Sequence, residues 1–484
     1  MPGASRWTRR RRAVVVALFG AATLGACATN PVTGKRELAL VSEEQEIQMG
    51  RQAAQEVAQT LGLVDDDALQ QYVQRVGASL AADTERPGLP WTFRVVEDPT
   101  PNAFALPGGF IFVTRGMMTL MNSEAELASV LGHEIGHVTA RHSVEQISRA
   151  QLAQLGLGLG AILAPEIAQQ YGQLAGTGLQ LLFLKYGRDD ERQADELGFR
   201  YALQDNYDVR EFADVFADLQ RLSQASSESP VPNFLSTHPD PGERVETARR
   251  RVAALNRSLD GTIVDRAEYL QRIDGLAYGE NPRNGFFRDG TFIHPDLRFR
   301  LDFPARWQAQ NLPQAVVAVS PQQDAVVQLE LSPAPDAVSG ARTFLSQQGI
   351  RAGQTFQQSI NGVPAAGSYF QAQTEQGVVE GLVAYFAYGG HTYQLLSYAP
   401  SGRFATYDPV ARQIIGSFRP LTDPALLNVQ PPRLAIVRVT QPTTLAAFNQ
   451  RYPSTVPLAT LALINELAGP DAAIPAGAMV KQVK

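Results

Sequence analysis

From Glu124 to about Ile147, Leu127, Val130, Leu131, Ile135 and Val138 recur at spacings of three and four, which predicts one amphipathic helix. Ser42-Glu43-Glu44-Gln45-Glu46 carries a capping signature, and helical patterning runs on to about Leu61. Further helical runs cover Ala68 to Ala82, Asp189 to Leu203, Val209 to Gln224 and Pro241 to Asn256. Trp91 to Val96 alternates apolar and polar residues, as a strand does. Asn102 to Thr114 reads as two short strands joined by a Pro-Gly-Gly turn. Leu152 to Ala164 is rich in Leu and Gly and ends at Pro165. It is too short to cross a bilayer, so a buried helix or a cover over a cleft is expected there.

Near residue 280 the period changes. Phe292 to Phe418 reads mostly as alternating strands, with one helical stretch near Ala341 to Gly349. After Gln430-Pro431-Pro432 the pattern predicts strand, helix, helix and strand, with the helices at Leu445 to Arg451 and Leu458 to Asn465. The fold expected is α+β. A mainly helical zincin-type unit with a small edge sheet would occupy residues 27–275. A strand-rich α+β domain of unassigned role would occupy 285–422, and a small module 433–484.

The chain has 484 residues, 44% apolar and 19% charged, which suits several folded domains and excludes wholesale disorder. A net charge of −6 gives no basic surface to neutralise phosphates, so nucleic acid is not an expected partner. The single cysteine, Cys27, rules out a disulfide framework and a Cys-type zinc site. Its position is informative. Arg6 and Arg9 to Arg12 are basic, Ala13 to Leu24 are apolar, and Leu24-Gly25-Ala26-Cys27 follows at once. This order is a secretory signal, expected to span residues 1–26. Its last four residues resemble a bacterial lipobox, which makes Cys27 the lipidated first residue of a mature protein. Ala28 in place of Asp favours the outer membrane, with the chain on the periplasmic face of the cell envelope.

Of six histidines, two frame His133-Glu134-Ile135-Gly136-His137 inside the strongest helix. Residues four apart share a helical face, so both imidazoles can reach one metal ion. Glu134 is rotated by about 100° from His133, beside the metal without ligating it, where a carboxylate can take a proton from water. A catalytic zinc site needs a third protein ligand. Ala140 and Ser143 stand where a metzincin has Gly and His, so that class is excluded. His142 would point some 140° away from His137 on a continuing helix, which suits a polar contact at a helix end. Glu191 and Asp195, four apart in an acidic helical run, could supply a ligand and a hydrogen-bond partner for a ligating histidine. On spacing alone the same run suits a solvated helix start equally well.

His-Glu-x-x-His followed some fifty residues later by Arg188-x-x-Glu191-x-x-x-Asp195 resembles the HtpX, CAAX-prenyl-protease and BepA-like group of gluzincin metalloproteases. Asn102-Ala103-Phe104-Ala105-Leu106-Pro107-Gly108-Gly109 resembles that group's strand upstream of the zinc helix, and Ser236-Thr237-His238-Pro239 with Arg244 its downstream histidine motif. The resemblance covers about residues 40 to 255 and is closest to the secreted BepA-like branch. It implies one Zn2+ per chain held by His133, His137 and Glu191, Glu134 as general base, and Asp195 behind a ligand. It implies that Asn102 and Ala103 lie on a strand holding an extended substrate. His238 would either donate to the oxyanion or occupy the fourth metal position and hold the enzyme inactive, a structural role being the third choice.

Two weaker likenesses concern the rest. Phe303-Pro304-Ala305-Arg306-Trp307 resembles PsbP-like domains. Thr443-Thr444-Leu445, Ile464-Asn465 and Ile474-Pro475-Ala476-Gly477 resemble a LysM module, which implies peptidoglycan as a partner; a structural cap fits them too. No period of about 34 residues is present, so the tetratricopeptide repeats typical of BepA-like proteins are not expected. The function that follows is a zinc-dependent endopeptidase, lipid-anchored through Cys27, cutting misfolded or stalled envelope proteins. The alternative is an envelope scaffold or chaperone-like lipoprotein with little proteolysis.

Overall fold

The computed structural model describes residues 27–154, 181, 185–225, 234, 237–238, 241–312, 314–374 and 377–484. The basic and apolar leader before Cys27 and most of the Leu/Gly-rich stretch 152–164 lie outside the described residues. The chain divides into two compact units, residues 1–279 with 432–484, and residues 280–431. Among the described residues, no helix is long and apolar enough to cross a membrane.

In the first unit, β1 (Cys27–Thr29) pairs with β2 (Arg36–Leu38). Helix α1 (Glu43–Thr60) starts from the Ser42 capping box, and α2 (Asp67–Ala82) from an Asp66 cap. β3 (Thr92–Val96), β4 (Ala103–Leu106) and β5 (Phe110–Thr114) form a sheet in the order β3-β5-β4. β5 is parallel to β3 and antiparallel to β4, leaving β4 at the edge. The turn between β4 and β5 holds Gly108 and Gly109 at positive φ, and Gly108 rests against the backbone of Ile47 on α1.

A short helix α3 (Arg115–Leu120) leads to α4 (Glu124–Thr139), capped by Ser123 and buried along its whole length. It is followed by α5 (His142–Gln154), α6 (Arg188–Gln204), α7 (Glu211–Ala225), α8 (Pro241–Ala253) and α9 (Arg266–Arg272). α4 packs on α6, α7, α2 and β4. Its crossing with α6 is a close backbone approach: a Cβ on Gly198 would stand 2.6 Å from the His133 amide nitrogen, and one on Gly136 would meet Ala194.

The sequence pattern predicted one helix to about Ile147, but the helix breaks at Arg141, whose φ is 61°. Tertiary partners satisfy the carbonyls that the break frees. Arg86 donates to Val138 O at 2.9 Å and Asn30 to Ala140 O at 3.0 Å. Arg141 itself reaches Glu46 on α1 and Val41 O. Apolar spacing carries none of these contacts, which is why the periodicity ran through the break.

The second unit continues with β6 (Phe286–Arg288), β7 (Thr291–His294) and β8 (Phe299–Asp302), then β9 (Gln308–Asn311), β10 (Ala315–Val319) and β11 (Val326–Ser332). Helix α10 (Ala337–Leu345) precedes four long strands: β12 (Ile350–Ile360), β13 (Val363–Thr374), β14 (Gly377–Tyr388) and β15 (His391–Pro400). The antiparallel sheet runs β12-β13-β14-β15-β11-β10-β9. On β14, Leu382, Ala384 and Phe386 face a core shared with α11 (Phe404–Ser417), while Val383 and Tyr385 face α10. Helix α11 was not expected, because Pro409 stands inside it and argues against a helix on sequence alone. β16 (Arg419–Pro420) joins β8, and α12 (Pro424–Leu427) closes the unit.

The chain then returns to the first unit. β17 (Leu434–Arg438), β18 (Thr443–Thr444), α13 (Leu445–Arg451), α14 (Leu458–Ile464), β19 (Ala473–Ile474) and β20 (Met479–Val483) follow in order. Leu434, Leu445, Phe448, Leu461 and Val483 belong to the same hydrophobic core as Leu127, Leu131, Phe216 and Tyr269. The last fifty residues, expected as a module of their own, thus share one core with residues 64–276.

Candidate metal centre

The buried face of α4 presents His133 and His137 to one point, and α6 brings Glu191 and Asp195 to it. His238, from the segment before α8, completes the cluster. His133, His137, Glu191 and His238 each offer one donor atom, and these atoms all lie within 4.8 Å of one another. His137 Nε2 is 3.1 Å from His133 Nε2, and His133 Nε2 is 3.2 Å from His238 Nδ1. Glu191 Oε1 is 3.0 Å from His238 Nδ1 and 3.5 Å from His137 Nε2. Tetrahedral zinc with bonds of about 2.0–2.2 Å needs its ligand atoms about 3.3–3.6 Å apart. The donor types and spacing therefore fit such an ion.

Each member is held from behind. His133 Nδ1 is 2.9 Å from Asp195 Oδ1, and Arg244 donates to Asp195 at 2.6 and 3.0 Å. Burial opposes ionisation of Asp195, yet Arg244 and His133 hold its carboxyl well below the usual range. Burial, with the neighbouring rings, keeps the His137 imidazole well below its ordinary pKa, which leaves it neutral and able to ligate. The Arg244 guanidinium is seated on the Phe216 ring at 4.0 Å.

Glu134 is fully buried, and neither of its carboxylate oxygens has a hydrogen-bond partner among the described residues. Burial pushes its carboxyl up. Its Oε1 lies 3.7 Å from His238 Nε2, which puts a proton-accepting group beside the donor cluster but outside it. A buried carboxylate left unpaired in this way suits a reacting group rather than a structural one.

Ala103 opens β4 with its side chain fully buried, opposite Val113. Asn102 is held by Thr114, which hydrogen-bonds its backbone on both sides, while Asn102 Oδ1 is buried without a hydrogen-bond partner among the described residues. β4 packs on the helix that carries His133. Cys27 begins β1, opposite Leu38 on β2.

Three further neighbours surround His137, of which only His142 was named from the sequence. Tyr186 stacks on His137 with ring centroids 3.9 Å apart, and its hydroxyl meets Ser143 Oγ at 2.8 Å. His142, expected to point away, has its Nδ1 3.0 Å from His137 Nδ1, because the break at Arg141 turns it back. Gln193 Oε1 lies 3.0 Å from His142 Nε2. Only the left-handed break, which no spacing rule reveals, would have signalled the second and third.

Residues 67–252 match the model of Peptidase family M48. The beta-barrel assembly-enhancing protease of Yersinia pestis is 33% identical over 230 residues, 46% of this chain and 46% of that protein. The mitochondrial metalloendopeptidase OMA1 of Schizosaccharomyces pombe is 32% identical over 220 residues, 44% of this chain and 63% of that protein. The chain spans about half the length of the bacterial relatives it matches. Among solved structures, cyanobacterial PsbP (CyanoP) from Synechocystis sp. PCC 6803 covers 27% of this chain and 91% of that chain at 13% identity, with a TM-score of 0.23. That score is too low to bear on the fold.

Proposed function

We propose that this chain, which carries a BepA-like peptidase M48 domain at residues 67–252, is a zinc-dependent endopeptidase of the bacterial cell envelope. The observation that carries the proposal is the convergence of four donor atoms within 4.8 Å beside the unpartnered Glu134 carboxylate.

His133, His137 and Glu191 would hold the ion, and Asp195, fixed by Arg244, would set the His133 ring so that Nε2 faces it. When bound, zinc supplies Lewis acidity toward a peptide carbonyl and toward water. Glu134 takes the proton from the attacking water and returns it to the leaving amine nitrogen. Neither oxygen is engaged in a hydrogen bond among the described residues, and the nearest cationic group is His238 at 3.7 Å. β4, at the sheet edge, offers its backbone to an extended substrate, with Asn102 and Ala103 at its start.

His238 has a donor atom in the same cluster as the three ligands, which supports the resting-state role. In that role it fills the fourth position and must swing away before a substrate is cut. Oxyanion donation is then the task open to it once displaced.

The envelope location rests on Arg6 to Cys27, whose charge, apolar run and lipobox-like end suit a lipid-anchored export product. Misfolded or stalled envelope proteins are the proposed substrates, in line with relatives named beta-barrel assembly-enhancing protease. For the tail we propose a glycan, with peptidoglycan as its source. A cavity of about 350 Å3 there is lined by Arg438, Asn465, Ile474, Pro475 and Gly477 together with Arg266.

The test is cleavage of unfolded casein by the full chain and by Glu134→Gln. The account expects cutting by the first alone, with metal retained in both. Equal cutting by the two would remove Glu134 from the mechanism.

A further inference from the structure

The two histidines of α4 are held from behind in different ways. His133 Nδ1 faces an anionic carboxylate, Asp195, which Arg244 pins with two hydrogen bonds. Among the described residues, His137 Nδ1 faces no carboxylate. It meets His142 Nδ1 at 3.0 Å, and His142 Nε2 meets Gln193 Oε1 at 3.0 Å, with Asp190 Oδ1 further off at 4.0 Å.

Valence settles where the protons sit. If His137 Nε2 offers its lone pair to an ion, the ring's one proton is on Nδ1. That N–H must donate, and the atom it meets, His142 Nδ1, must accept. The proton of His142 is then on Nε2, which donates to the Gln193 carbonyl oxygen. Each link permits only one tautomer, so the chain is closed. We propose that His142 and Gln193 are positioning residues that fix the tautomer and rotation of His137, as Asp195 does for His133.

The geometry around the relay supports this. His142 is 3% exposed, so water does not substitute readily for its partners. Its place depends on the left-handed turn at Arg141, since a continuing helix would carry it to another face. Tyr186 covers His137 from one side and is itself tied to Ser143, the residue after His142. Gln193 lies two residues from each of Glu191 and Asp195 on α6, so one helix sets a ligand and the supports of both histidines. Because the His137 support is neutral, it should raise ligand basicity less than Asp195 does.

The proposal rests on His137 being a metal ligand, and the experiment separates the two. The zinc dissociation constant of the full chain is measured by chelator competition for wild type, His137→Ala, His142→Leu, His142→Gln, Gln193→Leu and Asp195→Asn. Unfolding midpoints are taken metal-free. His142→Leu should weaken zinc binding by about 10- to 100-fold. His142→Gln, whose amide oxygen can accept the His137 proton, should recover most of that loss. Gln193→Leu should weaken binding less than Asp195→Asn. Metal-free midpoints of His142→Gln and Gln193→Leu should match wild type, which a merely structural role would not give.

Zinc affinity unchanged in both His142→Leu and Gln193→Leu, with binding abolished in His137→Ala, would overturn the relay and leave the metal site standing. Unchanged affinity in His137→Ala would remove the metal reading and the relay together. Should His142→Leu fail to fold, Gln193→Leu decides, because its half-buried side chain can be replaced without opening the core.

Discussion

Lys481, on β20, donates to Met121 O at 2.6 Å, two residues before the cap of the helix that carries His133. Its ammonium also reaches Thr119 O, Leu120 O and Ile464 O, and the side chain is fully buried. The carbonyls at the end of α3, which have no helical partner, are thus satisfied from the tail.

Lys481→Met keeps the length and removes every donor. Those buried carbonyls then lose their partners, for a cost of roughly 2–4 kcal/mol. Urea unfolding should show a lower midpoint at unchanged slope, equivalent to that loss of free energy. An unchanged midpoint would mean that the tail is only loosely attached.

Gly198→Ala places a Cβ 2.6 Å from the His133 amide nitrogen and 2.8 Å from the Gly132 carbonyl carbon. The helices α4 and α6 must part, at roughly 1–3 kcal/mol. Because the parting separates His133 and His137 from Glu191, zinc affinity should fall along with the thermal midpoint. A variant that loses stability but holds zinc as tightly as wild type would contradict the shared geometry.

Burial, helped by the charge of Glu466, pushes the Asp218 carboxyl up to about 7, with Arg221 opposing only in part. In the unfolded chain this group ionises near 3.9. Between those values the folded state holds a proton that the unfolded state has released. Stability therefore falls as pH rises from about 4 to about 7 and stays lower above. Asp218→Asn mimics the protonated form and should raise stability at pH 8 by on the order of 2 kcal/mol. At pH 4 the variant and wild type should melt together. A constant difference across pH would assign the effect to packing.

His238→Ala tests the resting role of this histidine. If the fourth donor holds the enzyme closed, casein cleavage should rise several-fold, and the double variant with Glu134→Gln should be inactive. A fall in cleavage with zinc retained would favour oxyanion support instead.

Much of the site was legible because its chemistry lies on helices. The four-residue spacing of His133 and His137 survives any packing that keeps the helix intact, whereas Glu191 and Asp195, whose spacing suited a solvated helix start equally well, were chosen by resemblance. His238 was found by resemblance rather than by spacing, since it lies in a loop. His142, Gln193 and Tyr186 were not legible, because their places follow from the Arg141 break and from contacts distant in sequence. The helices of the tail were read closely, at Leu445–Arg451 and Leu458–Ile464. Its docking was not, since the same apolar residues would serve a separate small core. Helix α11 was hidden by Pro409, which the core around Phe404, Ile414 and Phe418 overrides.

The most direct test of the central claim is zinc content measured together with casein cleavage, on wild type, His133→Ala and Glu191→Ala. The account predicts about one zinc per chain and cleavage in wild type, with both lost in each variant. Wild-type protein that binds no zinc, or that cuts equally well once either residue is replaced, would contradict it.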